Sequence, residues 1–164
     1  MDSLTMLETA LKIRSSINKN TSLIVNERID IALLTNSAGI HLPGNSFKLK
    51  DVIKVFPGKL IGKSVHSVSE AVKAENDGAD YLLFGPVFRT PAKIKYGKPQ
   101  GLKKLKKVCD NVNIPVYAVG GINPMRIKKC TAAGAYGIAG IREFMITGNI
   151  RKTISIYRKE LGEL

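Results

Sequence analysis

Short apolar segments alternate strictly with amphipathic ones along this chain, and that alternation restricts the fold more than any other feature. The apolar segments fall at 22–27, 39–42, 60–65, a run from 81 that breaks at Gly85-Pro86, 116–121 and 136–141. Between and around them, apolar residues recur at helical spacing over 4–17, 28–36, 48–56, 68–77, 101–111 and 123–134, and again from Ile150 through Ile154, Tyr157 and Leu161. The unit repeats about every 20 residues. Strands buried on both faces read as such continuous apolar runs, and parallel neighbours need a crossover helix between them. The pattern therefore predicts an α/β fold, a parallel sheet with helices outside it, in one domain over residues 1–164.

Punctuation supports the boundaries. Ser3 is a candidate cap for the first helix, and Ser67 with Glu70 has capping-box spacing. Asn123-Pro124 places an N-cap residue before proline at the first helical position. One interval is longer than the rest: 35 residues separate the starts of the fourth and fifth strands, with the surplus in 89–100. An extended loop after a parallel strand is where binding parts are usually added.

The bulk composition excludes some classes. Hydrophobic residues make up 44% of the 164, enough for a true core, and no apolar run approaches the ~18 residues of a membrane span. The first residues have neither the basic start nor the apolar stretch of a secretory signal, so a cytoplasmic protein without membrane contact is expected. Cys109 and Cys130 both fall at apolar helix positions, as buried free thiols do. The net charge of +13 suits phosphorylated ligands or simply a lysine-rich solvated surface. Nucleic acid is not expected as a partner, since the chain has no Trp and no aromatics interleaved with its basic residues.

Each strand ends in polar residues, and in a parallel array all these ends share one face. In order they are Asn26 and Glu27, His41, Ser64 and His66, Thr90 and Lys93, Gly120-Gly121, and Arg142 with Glu143. Gly120-Gly121 before Asn123-Pro124 is a glycine turn entering a helix N-terminus, where free N–H groups and the helix dipole favour a phosphate; a plain tight turn has the same sequence. Lys93 can neutralise a phosphate or a leaving diphosphate, and Glu27 can hold Mg²⁺ together with phosphate oxygens or stand as a surface carboxylate. His41 lies within an apolar strand, which suits a structural histidine as well as a ligand contact. The sequence has no zinc-type Cys/His spacing, nucleophile elbow or Walker loop.

Taken together, Ile24-Val25-Asn26-Glu27, Gly39-Ile40-His41-Leu42, Ile61-Gly62-Lys63-Ser64-Val65-His66, the stretch from Gly85-Pro86 through Thr90-Pro91-Ala92-Lys93, Val119-Gly120-Gly121-Ile122 and Ala133-Gly134-Ala135 resemble the thiamine phosphate synthase/TenI family. The resemblance runs from about residue 4 to about residue 145. It implies a (β/α)₈ barrel and the Mg²⁺-dependent joining of a hydroxymethylpyrimidine diphosphate to a thiazole phosphate. Asn26 and Ser64 would face the pyrimidine or diphosphate, with Ser64 and Lys93 as the catalytic pair. Thr90 and Lys93 would grip diphosphate, Lys93 assisting its departure, and Gly120 and Gly121 would hold the thiazole phosphate. His41 is counted with the ligand-facing residues, and Glu27 as the metal ligand.

The sequence also departs from the family. Glu27 stands where an Asp is usual, and Pro43-Gly44-Asn45-Ser46 carries no second metal carboxylate. Ala92 replaces a Thr, Arg142 replaces a phosphate-facing Ser, and Pro86 stands where the tautomerase branch has His. The family has two strands ahead of the first helix, so about six strands of an incomplete barrel are expected here. Open sheet edges of that kind lead us to expect a homo-oligomer. Three functions fit: a synthase-like enzyme of thiamine biosynthesis, a non-catalytic TenI-like protein binding or sensing a phosphorylated ligand, and a basic interaction or nucleic-acid-binding protein.

Overall fold

The computed structural model describes residues 2–90 and 98–162. Six strands form one sheet in the order β1-β2-β3-β4-β5-β6, every adjacent pair parallel. They are β1 (Ile24–Asn26), β2 (Gly39–Leu42), β3 (Leu60–Val65), β4 (Tyr81–Phe84), β5 (Val116–Val119) and β6 (Gly137–Ala139). The helices are α1 (Ser3–Ser16), α2 (Ile29–Leu34), α3 (Leu49–Val55), α4 (Val68–Asn76), α5 (Gly101–Cys109), α6 (Pro124–Ala132), α7 (Arg142–Met145) and α8 (Ile150–Leu161). Spatial order equal to chain order is the single winding of a TIM-barrel-like array, because right-handed crossovers then put every helix on one face. Among the described residues β1 and β6 are the two edges.

Side-chain alternation sorts the sheet into two faces. Register aligns Leu42, Lys63, Leu82 and Val116 in one row, and Val65, Phe84, Ala118 and Ile138 in another. These rows face the helices and join Val52, Ala71, Leu105, Val108 and Ile127 in the core. Leu82 and Phe84 are fully buried, each contributing about 1.5–3 kcal/mol. The opposite, bore-side rows carry Asn26, His41, Gly62 and Tyr81, then Ser64, Leu83, Tyr117 and Gly137. Rings fill this face by lying over glycines. A Cβ on Gly62 would fall 2.1 Å from the Tyr81 ring, and one on Gly137 3.0 Å from that of Tyr117.

Local details refine the sequence reading. Asp2, not Ser3, caps α1: its Oδ1 accepts from the Thr5 N–H at 2.9 Å, while Ser3 Oγ accepts from Arg28. Ser67 caps α4 as expected, but Glu70 accepts from the His66 N–H at 2.7 Å, one residue before the cap. The last strand is shorter than its apolar run, which continues into the single turn α7 and carries Arg142 and Glu143 with it. No helix among the described residues is long and apolar enough to cross a membrane.

Candidate functional site

Two groups of predicted residues assemble at the C-terminal ends of the strands. The first lies on β1, β2 and β3. His41 Nε2 is 2.8 Å from Ser64 Oγ across the β2–β3 pair. The imidazole stacks on Tyr81 with centroids 5.7 Å apart and is almost wholly buried. Burial, then the nearby Lys63 charge, pushes the His41 pKa down to about 4, so the ring is neutral at physiological pH. Its Nδ1 is buried without a hydrogen-bond partner among the described residues. Burial and the neighbouring Tyr117 likewise push Tyr81 up to about 12, so it stays a phenol.

Asn26 pairs in register with His41 and is exposed at the end of β1. Glu27 follows with φ 63°, a left-handed conformation rare for a residue with a side chain, and its N–H donates to the His41 carbonyl at 2.8 Å. Such strain persists only where the surroundings impose it, and it concentrates at ligand sites. The Lys63 ammonium donates to the carbonyls of Pro43 (2.6 Å) and Gly44 (3.1 Å), tying the β2–α3 loop to β3.

The second group surrounds a cavity of about 350 Å³ beyond β4, β5 and β6, lined by Thr90, Gly120 and Gly121 among others. Gly120 (φ 95°) and Gly121 (φ 65°) take left-handed conformations that only glycine adopts cheaply. A Cβ on Gly120 would meet Pro86 Cβ at 2.6 Å, and one on Gly121 the Arg89 carbonyl at 2.7 Å. The β4 and β5 ends stay zipped past the strands, Val87 N–H to Val119 O and Phe88 N–H to Gly120 O. Asn123 sits at the N-cap of α6, yet its side chain makes no cap bond and its Oδ1 is buried without a partner.

Three arginines also line this cavity, Arg89, Arg126 and Arg142, against one acid, Glu143; of them only Arg142 was among the strand-end residues the sequence pointed to. Arg126 stands 4.6 Å over the Phe88 ring and donates to the Gly121 carbonyl, clamping the β4 and β5 loops together. Its position one turn into α6, facing back over the glycine turn, was the available signal. Lys93 lies outside the described residues. A larger cavity of about 480 Å³ opens between α3 and α4 and contains none of the glycine turn.

A resident Mg²⁺ fits this donor set poorly. Mg²⁺ wants octahedral oxygens at ~2.0–2.1 Å, including one or two carboxylates. Glu27 offers one, Glu70 is committed to the His66 N–H, and the loop carbonyls of Pro43 and Gly44 are already bound to Lys63. No cluster of three His, Cys, Asp or Glu able to hold a metal occurs among the described residues.

The family described as thiamine monophosphate synthase matches residues 1–144. The putative thiamine-phosphate synthase 2 of Aquifex aeolicus is 44% identical over 141 residues, spanning 85% of this chain and 75% of that protein. The thiamine-phosphate synthase of Methanocella arvoryzae is 41% identical over 162 residues, spanning 93% of this chain and 76% of its own. The solved thiamine phosphate pyrophosphorylase of Pyrococcus furiosus superposes with a TM-score of 0.91 at 33% identity, covering 99% of this chain and 79% of the other. A KDPGal structure, 17% identical with a TM-score of 0.73, shares the fold alone.

Proposed function

The chain belongs to the thiamine monophosphate synthase family, within thiamine biosynthesis, and from that premise we propose that it joins a hydroxymethylpyrimidine diphosphate to a thiazole phosphate with release of diphosphate. The carrying observation is the cavity in which the Gly120-Gly121 turn, Thr90 and three arginines converge. Backbone N–H groups at the start of α6, with Arg126 and Arg142, suit the dianionic phosphate of the thiazole. Asn26, His41 and Ser64 face the bore from the other side and suit the pyrimidine.

The reaction is a substitution at the pyrimidine methylene. The carbon–oxygen bond to diphosphate breaks with its electron pair leaving on oxygen, and the thiazole nitrogen forms the new carbon–nitrogen bond. The protein positions two ligands and neutralises the departing charge, Thr90 and Lys93 acting on the diphosphate. Neutral His41 keeps Ser64 oriented without adding a positive charge beside the pyrimidine. A cytoplasmic location, phosphorylated small molecules as ligands, and a second copy of the chain as partner belong to the same reading.

The test supplies both substrates with Mg²⁺ and follows thiamine phosphate. Product that disappears in Lys93→Ala and in Arg142→Ala supports the reading. A second reading, a non-catalytic binder of phosphorylated ligand, draws on the poor fit to a protein-held metal beside an intact phosphate cavity. It predicts no product but a raised melting temperature with thiazole phosphate. Stabilisation by nucleic acid alone, falling steeply with salt, overturns both.

A further inference from the structure

We infer that the Lys63 ammonium is the built-in cation of the β1–β3 strand ends, doing for the β2–α3 loop and for a bound diphosphate what a protein-held divalent metal would do. The inference rests on the diphosphate-releasing reaction proposed above. It starts from an anomaly of position. Lys63 falls in the helix-facing row between Leu42 and Leu82, where the other members are fully buried apolar residues. Its stem covers apolar surface there, and its charged end turns up to the strand ends, as long cationic side chains do.

What surrounds that end is a cation's coordination environment. Two backbone oxygens, of Pro43 and Gly44, accept from Nζ at 2.6 and 3.1 Å. The carboxylates of Glu27 and Glu70 are close enough to favour its charged form, against the burial that lowers its pKa. Neutral carbonyls with nearby carboxylates are the ligand types of a hard cation. The same charge reaches His41, where it opposes a second proton. The loop it holds lies over the end of β3: a Cβ on Gly44 would stand 3.7 Å from His66 Nε2 and 4.0 Å from the Ser64 carbonyl. An ammonium has three N–H donors, and the third has no partner among the described residues. That donor is available to an anionic oxygen entering the cavity between α3 and α4, which Lys63 lines together with Gly44, Ser64 and Glu70. Glu27 is held in its left-handed conformation beside this charge, so the strained residue and the half-buried cation form one unit.

A tethered ammonium and a divalent metal compete for the same oxygens, which gives a readout that loop packing alone would not move. Isothermal titration of the full chain with inorganic pyrophosphate is carried out once in EDTA and once with Mg²⁺. The expected result is wild-type binding that changes by less than about threefold between the two conditions, and a Lys63→Met variant whose binding in EDTA is weaker by at least about tenfold. Lys63→Arg, which keeps the charge, should bind within a few-fold of wild type in EDTA. Wild-type binding that requires Mg²⁺, or Lys63→Met binding as wild type does in EDTA, overturns the inference and leaves the synthase reading standing. Absence of pyrophosphate binding both in EDTA and with Mg²⁺ overturns both. Should Lys63→Met fail to fold by its thermal melt, the wild-type comparison and Lys63→Arg still decide.

Discussion

His41 Nε2 and Ser64 Oγ stand 2.8 Å apart across the β2–β3 pair, and the ring in that contact is buried and uncharged. This one contact couples the strand-end chemistry to the stability of the fold. In the folded chain the His41 pKa lies at about 4, against 6.5 for the free side chain. The folded state therefore refuses a proton that the unfolded chain accepts. The contribution of the neutral ring is complete above pH 6.5 and is lost as pH falls from there towards about 4. The loss is on the order of 1–3 kcal/mol, after allowing for partial solvent screening. Urea unfolding at pH 7.5 and pH 5 should show this drop in the wild type and a smaller one in His41→Gln. Equal drops in the two proteins would remove His41 as the cause.

The glycine turn makes a sharper prediction. Gly121→Ala places a methyl group 2.7 Å from the Arg89 carbonyl at a φ of 65°. Backbone cannot yield there as a side chain would, so a stability loss of about 1–3 kcal/mol is expected, and protection by thiazole phosphate should vanish. A Gly121→Ala protein with normal melting and normal ligand protection would show that the turn is not the phosphate cradle.

Arg126 should divide binding between the two substrates. Its guanidinium donates to the Gly121 carbonyl and stands over the Phe88 ring, at the phosphate cavity, whose lining does not include His41. Arg126→Met is expected to raise KM for the thiazole phosphate about tenfold, with KM for the pyrimidine diphosphate unchanged. An equal rise for both substrates would point to general loosening instead.

Gly62 sits under the Tyr81 ring, with room for no side chain: the added Cβ would lie 2.1 Å from ring carbon. Gly62→Ala should cost about 1–3 kcal/mol by displacing the ring from His41. The same substitution in a Tyr81→Ala background should cost far less, and thermal melts of the four proteins complete the double-mutant cycle. Additive losses would mean that the ring moves freely.

Strands β1 and β6 each have a neighbour on one side only among the described residues. Exposed Leu33 and Leu34 lie in the helix after β1, and exposed Ile141, Met145 and Ile146 follow β6. Self-association is the expected outcome, visible by sedimentation at micromolar concentration. A well-folded monomer at that concentration would contradict it.

The sequence alone determined the order of elements and the family. Strand and helix periods differ, so the apolar runs at 39–42 and 60–65 and the helical stripes between them were legible residue by residue. Gly120-Gly121 and Asn123-Pro124 carried their turn and helix start in their own backbone chemistry. What the alternation left undecided was which chain-distant groups meet. Arg126 meets Phe88 only because the β4 loop brings that ring beneath it. Lys63 carried no local sign of its role within the Ile61–His66 motif. Only register, which put it between Leu42 and Leu82, and loop geometry, which brought Pro43 and Gly44 to its ammonium, made it an internal cation. The physical reason is one of range. Propensity and capping act over a few residues and can be read locally. Desolvation, ring stacking and charge act between neighbours in space, and those neighbours exist only once the sheet has formed.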